Sequence, residues 1–422
     1  MKKTTEEKLW TKNFLILWQG QLVSTLGDAA YSIALGFWVL SVTGSTALMG
    51  LLQAASTLPG ILISPFTGVL IDRVSQKKLL VLMDLLRGAA IVLVGVAAFQ
   101  GWLQIWMVFA AGVLLSLCGA AFRPGVMAAI PDLVPKQKLS NANSVFSVVG
   151  TGATMLGSVS GGFLFQILGA PLLFLFNGLS YLFSGFSILF MHFKRKETKR
   201  DEDFRFMEDM GEGFRYIWKQ KGLRDTILLA ALTNFFSFIA IVLLLPLFQK
   251  TPSLGSGLYG AAMACYMGGC MAGFVVFSIV TIPARKNLIL FALSNTVSSL
   301  SLILGILYLN SHLLMMGLIL IGGFFNSIIN VIFMSTVQGA TPGEMRGKVM
   351  AFMSMATQSL TPVAMALGGV LGGIFPIPAV IVTSFSVVLF GMIPFYFRKS
   401  FGNFLKGEPE KSLPAVPEVQ EP

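Results

Sequence analysis

Charge is scarce in this chain. Only 12% of its 422 residues are Asp, Glu, Lys or Arg, against about a quarter in ordinary soluble domains. The shortage runs along the whole length, so no single water-soluble core accounts for it. Histidine and cysteine are scarcer still, at two and three residues. His192 and His312 have no second His or Cys beside them. Cys118, Cys265 and Cys270 all lie in apolar runs, as small hydrophobic thiols do. No metal-ligand spacing results, and neither a metal nor a cofactor is expected. No phosphate-binding glycine loop occurs, since Gly347-Lys348-Val349 lacks both the upstream glycine and the hydroxyl. ATP is therefore not the direct energy source within this chain. The HExxH and GxSxG patterns of hydrolases are also missing, and an enzyme is not expected.

Long apolar runs take the place of these features. Hydrophobic residues make up 55% of the sequence, and stretches longer than about 18 residues read as membrane spans. They fall at 14–41, 46–71, 79–99, 103–122, 141–168 and 171–191. A second set falls at 226–249, 256–281, 287–309, 312–337, 348–373 and 377–397. The first run is too long for a signal peptide and carries Asp28 at its centre.

The loops between spans alternate in charge. Of the 30 Lys and Arg residues, 28 fall in every second loop or at the termini; Lys250 is alone on the opposite side and Arg87 is within a span. Basic loops stay cytoplasmic, so both termini are expected inside a cytoplasmic membrane. The net charge of +11 follows from these loops, and no basic face with interleaved aromatics points to nucleic acid.

The division expected is 1–191 for a first six-helix bundle, 192–225 for a cytoplasmic linker, 226–398 for a second bundle and 399–422 for a disordered tail. Met207–Trp218 reads as an amphipathic surface helix in the linker. The halves also repeat. At an offset of 207 residues, Pro135 meets Pro342, Ser147 meets Ser354, and Gly161-Gly162 meets Gly368-Gly369. Parallel repeats of this kind are a transporter architecture. Small residues four apart let helices approach closely: Ser64/Gly68, Gly157/Gly161, Gly269/Gly273 and Gly368/Gly372. They predict a close-packed interface where the halves meet.

Ionisable residues inside a membrane are costly and usually functional. Asp28 is the one acid placed near the middle of a span. It reads as a proton carrier or an anchor for a cationic substrate; the alternative is a carboxyl hydrogen-bonded to a neighbouring helix. Asp84 and Arg87 are three apart and share a helix face, as a structural ion pair or part of a gate.

The loop after the second span reads Gly68-Val-Leu-Ile-Asp72-Arg73-Val-Ser-Gln-Lys77-Lys78. It resembles the loop signature of the major facilitator superfamily, with Ser75 at the second glycine. Ala121-Phe-Arg123-Pro124, Ile130-Pro131-Asp-Leu-Val-Pro135, Gln19-Gly-Gln21 and Arg346-Gly-Lys348 resemble its drug:proton antiporter branch, which includes macrolide efflux proteins. Ser158 stands where the antiporter signature has proline. The resemblance implies an all-α integral membrane protein, twelve transmembrane helices in two six-helix bundles, working as a monomer. It implies export of lipophilic drugs by proton antiport, with export of an endogenous metabolite such as a siderophore or lipid as the alternative. It further implies a cytoplasmic gate around Asp72, for which Arg87 and Arg123 are candidate partners. Spans 1, 4, 7 and 10 would line the cavity, offering Gln21, Asp28, Tyr31, Asn234, Asn326 and Asn330.

Overall fold

The computed structural model describes residues 9–135, 138–191, 206–279 and 283–407. All regular structure among them is helical, as it must be where lipid offers the backbone no hydrogen bonds. Eleven stretches of the described residues are long and apolar enough to cross a membrane.

α1 (Lys12–Thr43) starts where the Thr11 hydroxyl accepts from the Phe14 amide, at 3.2 Å, and stops at Gly44 with φ 64°. The span expected at 46–71 is instead two helices, α2 (Thr46–Ala55) and α3 (Leu58–Arg73). Pro59 has no amide hydrogen to continue the ladder, and the Thr57 hydroxyl donates to the Gln53 carbonyl at 2.9 Å. The same break recurs in the second half. The span expected at 348–373 divides into α12 (Gly343–Gln358) and α13 (Thr361–Ile374), again three residues before a proline, Pro362.

α4 (Gln76–Phe99) follows expectation, while α5 (Ile105–Leu133) runs well beyond residue 122. Arg123 is thus on a helix and not in a loop. The Thr11 hydroxyl gives the last turn of α5 a cap by donating to the Leu133 carbonyl at 2.9 Å. The spans expected at 141–168 and 171–191 both fall in α6 (Leu139–Leu189), on either side of a kink at Gly169, whose φ is 71°. α7 (Phe206–Lys219) occupies the expected amphipathic stretch. Residues 192–205, the rest of the first part of the linker, lie outside the described residues.

The second half continues with α8 (Lys221–Lys250), α9 (Ser256–Ile279), α10 (Asn287–Leu307), α11 (His312–Ala340) and α14 (Ile377–Gly391). Two short helices follow, α15 (Ile393–Tyr396) and α16 (Lys399–Leu405). α16 corrects the expected tail: disorder does not begin at 399. Phe401 and Leu405 are fully buried there. Buried Asp225 accepts from Arg398 and from the Ser400 hydroxyl, each at 3.0 Å. Residues 408–422 lie outside the described residues.

The helices form two compact units that cut across the sequence halves. The first comprises Met1–Phe204, Ile241–Ala264 and Met365–Ile377. Two glycine crossings bind the later segments into it. A Cβ on Gly50 of α2 would stand 2.8 Å from the Cα of Gly369, and one on Gly260 of α9 would stand 2.7 Å from the Val159 carbonyl oxygen, beside Gly162. Phe37 adds ring contacts to Phe165 and Tyr259 at 4.9 and 5.6 Å. The expected small-residue interface is only partly of this kind. Gly157 and Gly161 face Ala29 and Ile33 of α1, inside the first half. Gly162, about 100° further round the helix, faces α9.

The second unit comprises Arg205–Ala240, Cys265–Ala364 and Pro378–Pro422. In it α10 packs on α11, where the Ser298 hydroxyl donates to the Gly322 carbonyl at 2.9 Å. Gly269 and Gly273 of α9 meet α11 at Leu320 and Ser327. α7 packs on α12 through the Glu212–Lys348 ion pair and the rings of Phe214 and Phe352.

Candidate functional site

The first unit holds a polar cluster among α1, α4, α5 and α6. Asp28, half-buried at mid-α1, is its one acid on a cavity wall. Its Oδ1 accepts from the Tyr181 hydroxyl and, at 3.4 Å, from the Asn177 amide. Both donors are on the second arm of α6 and are buried. They are there because α6 carries a polar stripe, Asn177, Ser180, Tyr181 and Ser184, at helical spacing. The stripe packs on small residues of α1: Gly27 against Asn177 and Ser180, and Gly20 against Ser184.

Asp84 and Arg87 form an ion pair on α4, and both are buried. The guanidinium carbon of Arg87 is 4.1 Å from the Phe122 ring centroid and 4.3 Å from that of Tyr181. Aromatic faces attract a cation at this range. Tyr181 thereby touches both charged centres, by its hydroxyl and by its ring.

A cavity of about 230 Å³ opens onto this cluster. Gln21, Ser24, Thr25, Asp28 and Ala29 of α1 line it, with Arg87 of α4 and Phe122 and Arg123 of α5. Drug-sized pockets run to about 300–1,000 Å³. This cavity is below that range.

The other expected residues are dispersed. Tyr31 is buried with its ring 5.2 Å from Phe174, and it does not line the cavity. Asn234 donates to the Thr357 carbonyl at 2.8 Å. Asn330 donates to the Asn326 backbone and side-chain oxygens at 2.9 and 3.0 Å, so the two do share a face. Lys77 donates to the carbonyls of Leu189 and Met191 at 2.6 and 2.9 Å, capping the end of α6. A lysine there also complements the negative end of the helix dipole. Lys78 is exposed. Gly68, Asp72 and Arg73 are on α3, with their side chains outside the described residues. Gly368, Gly369 and Gly372 are buried on α13, and a Cβ on Gly372 would press on Leu243. No group of three or more metal-ligating side chains occurs among the described residues.

The profile described as Major Facilitator Superfamily matches residues 17–361. The chain belongs to the major facilitator superfamily. Its fold is the twelve-helix fold of these transporters, and it is a multi-pass membrane protein. Macrolide efflux protein A of Streptococcus pyogenes is 23% identical over 376 residues, covering 87% of this chain and 90% of that protein. Multidrug resistance protein MdtG of Escherichia coli is 31% identical over 175 residues, covering 39% and 41%. Among solved structures, a bacterial homolog of the human lysosomal transporter Spinster, inward-facing and occupied, superimposes with a TM-score of 0.68 at 13% identity. That match covers 94% of this chain and 98% of the other. An inward-facing bacterial homologue of the iron transporter ferroportin gives 0.65 at 17% identity, covering 92% and 99%.

Proposed function

We propose that the protein exports lipophilic small molecules across the cytoplasmic membrane by alternating access, driven by proton influx, with both termini inside. Asp28 is the residue at which proton and substrate compete. One observation supports this above the others: Asp28 lines a cavity in a membrane span, and among the described residues its hydrogen-bond donors are the neutral Tyr181 and Asn177. A carboxylate held that way can exchange a proton without breaking an ion pair. The relatives named for macrolide efflux and multidrug resistance support export of drugs. Asp72, with Arg73, remains the proposed cytoplasmic gate, and Arg123 its proposed partner.

A second reading, export of an endogenous anionic metabolite, draws on Arg123 and Gln21 in the cavity wall. Both present hydrogen-bond donors, and Gln21 Nε2 is buried without a partner.

Purified protein in proteoliposomes under an imposed pH gradient separates these readings. Drug export predicts uphill movement of lipophilic cations and neutral compounds, which Asp28→Asn abolishes while downhill exchange persists. Movement of amphipathic anions alone selects the second reading. Full gradient-driven export by Asp28→Asn overturns the proton role.

A further inference from the structure

Arg87 stands in a cavity with two carboxylates within reach of its charge, and it is bonded to one of them. Its partner is Asp84, one helical turn earlier on α4. Asp28 has no guanidinium bond; its donors are a phenol and an amide. The two arrangements meet at Tyr181, whose hydroxyl serves Asp28 and whose ring lies 4.3 Å from the Arg87 guanidinium carbon. The Phe122 ring centroid is 4.1 Å from the same carbon.

We propose that Asp84 is a positioning residue that holds Arg87 in a neutral pair and so keeps it from becoming the counter-ion of Asp28. This inference rests on the reading of Asp28 as the proton site. The groups bearing on Asp28 and Arg87 can be named for each packed helix. α1 contributes Tyr31, α4 contributes Asp84 and Arg87 themselves, α5 contributes Cys118 and Arg123, and α6 contributes Tyr181. α2 carries no titratable residue. Tyrosine and cysteine are neutral near pH 7, which leaves Arg123 as the other fixed charge. Arg123 is exposed, whereas Arg87 is buried in contact with two rings. A desolvated guanidinium cannot stay unpaired. With Asp84 gone, Asp28 is the acid that lines the cavity together with Arg87.

The consequence has a definite sign. A carboxylate beside an unpaired guanidinium keeps its charge into more acid solution. In Asp84→Asn, gradient-driven transport should therefore need an acidic side about tenfold richer in protons, or more. Substrate-induced proton release near neutral pH should fall with it. In Asp84→Asn/Arg87→Gln the recruited charge is absent, so the acid shift should disappear, whatever the rate. A merely structural pair would change the yield of folded protein and leave the midpoint alone.

The test measures transport against pH in proteoliposomes for wild type, Asp84→Asn and the double variant, with folding followed by thermal unfolding. An acid shift in Asp84→Asn that the double variant reverses supports the proposal. An unchanged midpoint in Asp84→Asn overturns it. Should Asp84→Asn not fold, Asp84→Ser takes its place: an acid shift of the midpoint supports the proposal and an unchanged midpoint overturns it. Asp28→Asn run in parallel separates the two readings. Loss of proton coupling there, with no shift in Asp84→Asn, overturns this proposal alone. Retained coupling in Asp28→Asn overturns the proton role of Asp28 itself.

Discussion

The third span of each half solves the same packing problem with different chemistry. α4 buries a full ion pair, Asp84 with Arg87, against α5 and α6. Its counterpart α10 buries only neutral groups, among them Ser294, Asn295, Ser298 and Ser301. At the repeat offset of 207, Arg87 aligns with Ser294. Hydroxyls suffice to fasten α10 to α11, as the bond from Ser298 to Gly322 shows. Packing thus does not require charge at this position, and the charge in α4 calls for another explanation. The cavity beside it supplies one. In the second unit, by contrast, buried Asp225 is at the start of α8, where it ties down α16.

Four measurements sharpen or break this contrast, the last of them expected to show almost nothing. Asp28→Asn should show the largest effect, reducing uphill transport to the level of empty vesicles while leaving the folded yield near normal. Equal loss of yield and transport would instead make Asp28 a packing residue. Ser294→Arg puts the α4 cation into α10 without its acid. It should cost about 3–5 kcal/mol, as an unpaired buried charge does, and be seen as loss of monodisperse protein in detergent. Good folding of that variant would mean α10 has a hidden acceptor, and the contrast would fail. Asp225→Asn should lower stability by about 1.5–3 kcal/mol, the worth of hydrogen bonds to a charged group, read as an earlier thermal transition. Its pH profile of transport should match wild type, since Asp225 fastens helix ends and faces no described cavity. Glu212→Gln removes an ion pair with more than half of the Glu212 side chain exposed. Such pairs are worth about 0–1 kcal/mol, so its melting curve should overlay that of wild type.

Much of the fold is legible in the sequence because lipid permits few solutions. Length and hydropathy locate the spans, and α1, α4, α9, α10 and α11 begin within a few residues of the expected places. The breaks in the second and eleventh spans were harder to see. Their apolar runs continue through Ser56 and Ser359, and only the prolines three residues later mark them. α16 is not legible because its aromatics, Phe401 and Phe404, lie among charged and small residues that read as tail. Their burial depends on helices far away in sequence.

The site was half legible. Asp28, Asp84 and Arg87 announce themselves as ions in apolar helices. Tyr181 and Asn177 do not, for both types are ordinary in membrane spans and both lie about 150 positions from Asp28. A signal exists nonetheless: residues 177, 180, 181 and 184 form one polar stripe, and Gly20 and Gly27, two turns apart, leave room for it. Reading the stripe against the small face would have paired α6 with α1 and brought both donors to Asp28.

The glycine crossings described above also bear on how this gene can change. Glycine is encoded by a codon family in which every single-base replacement that alters the residue introduces a side chain or a stop. At Gly50, Gly162, Gly260 and Gly369 the space for even a methyl group is occupied by facing backbone. No stepwise substitution at these four codons leaves the helices where they are, and a compensating change on the partner cannot help when the partner atom is main chain. Selection for new substrates should therefore leave these codons alone and draw its variants from the cavity wall, where Gln21 and Thr25 border open space.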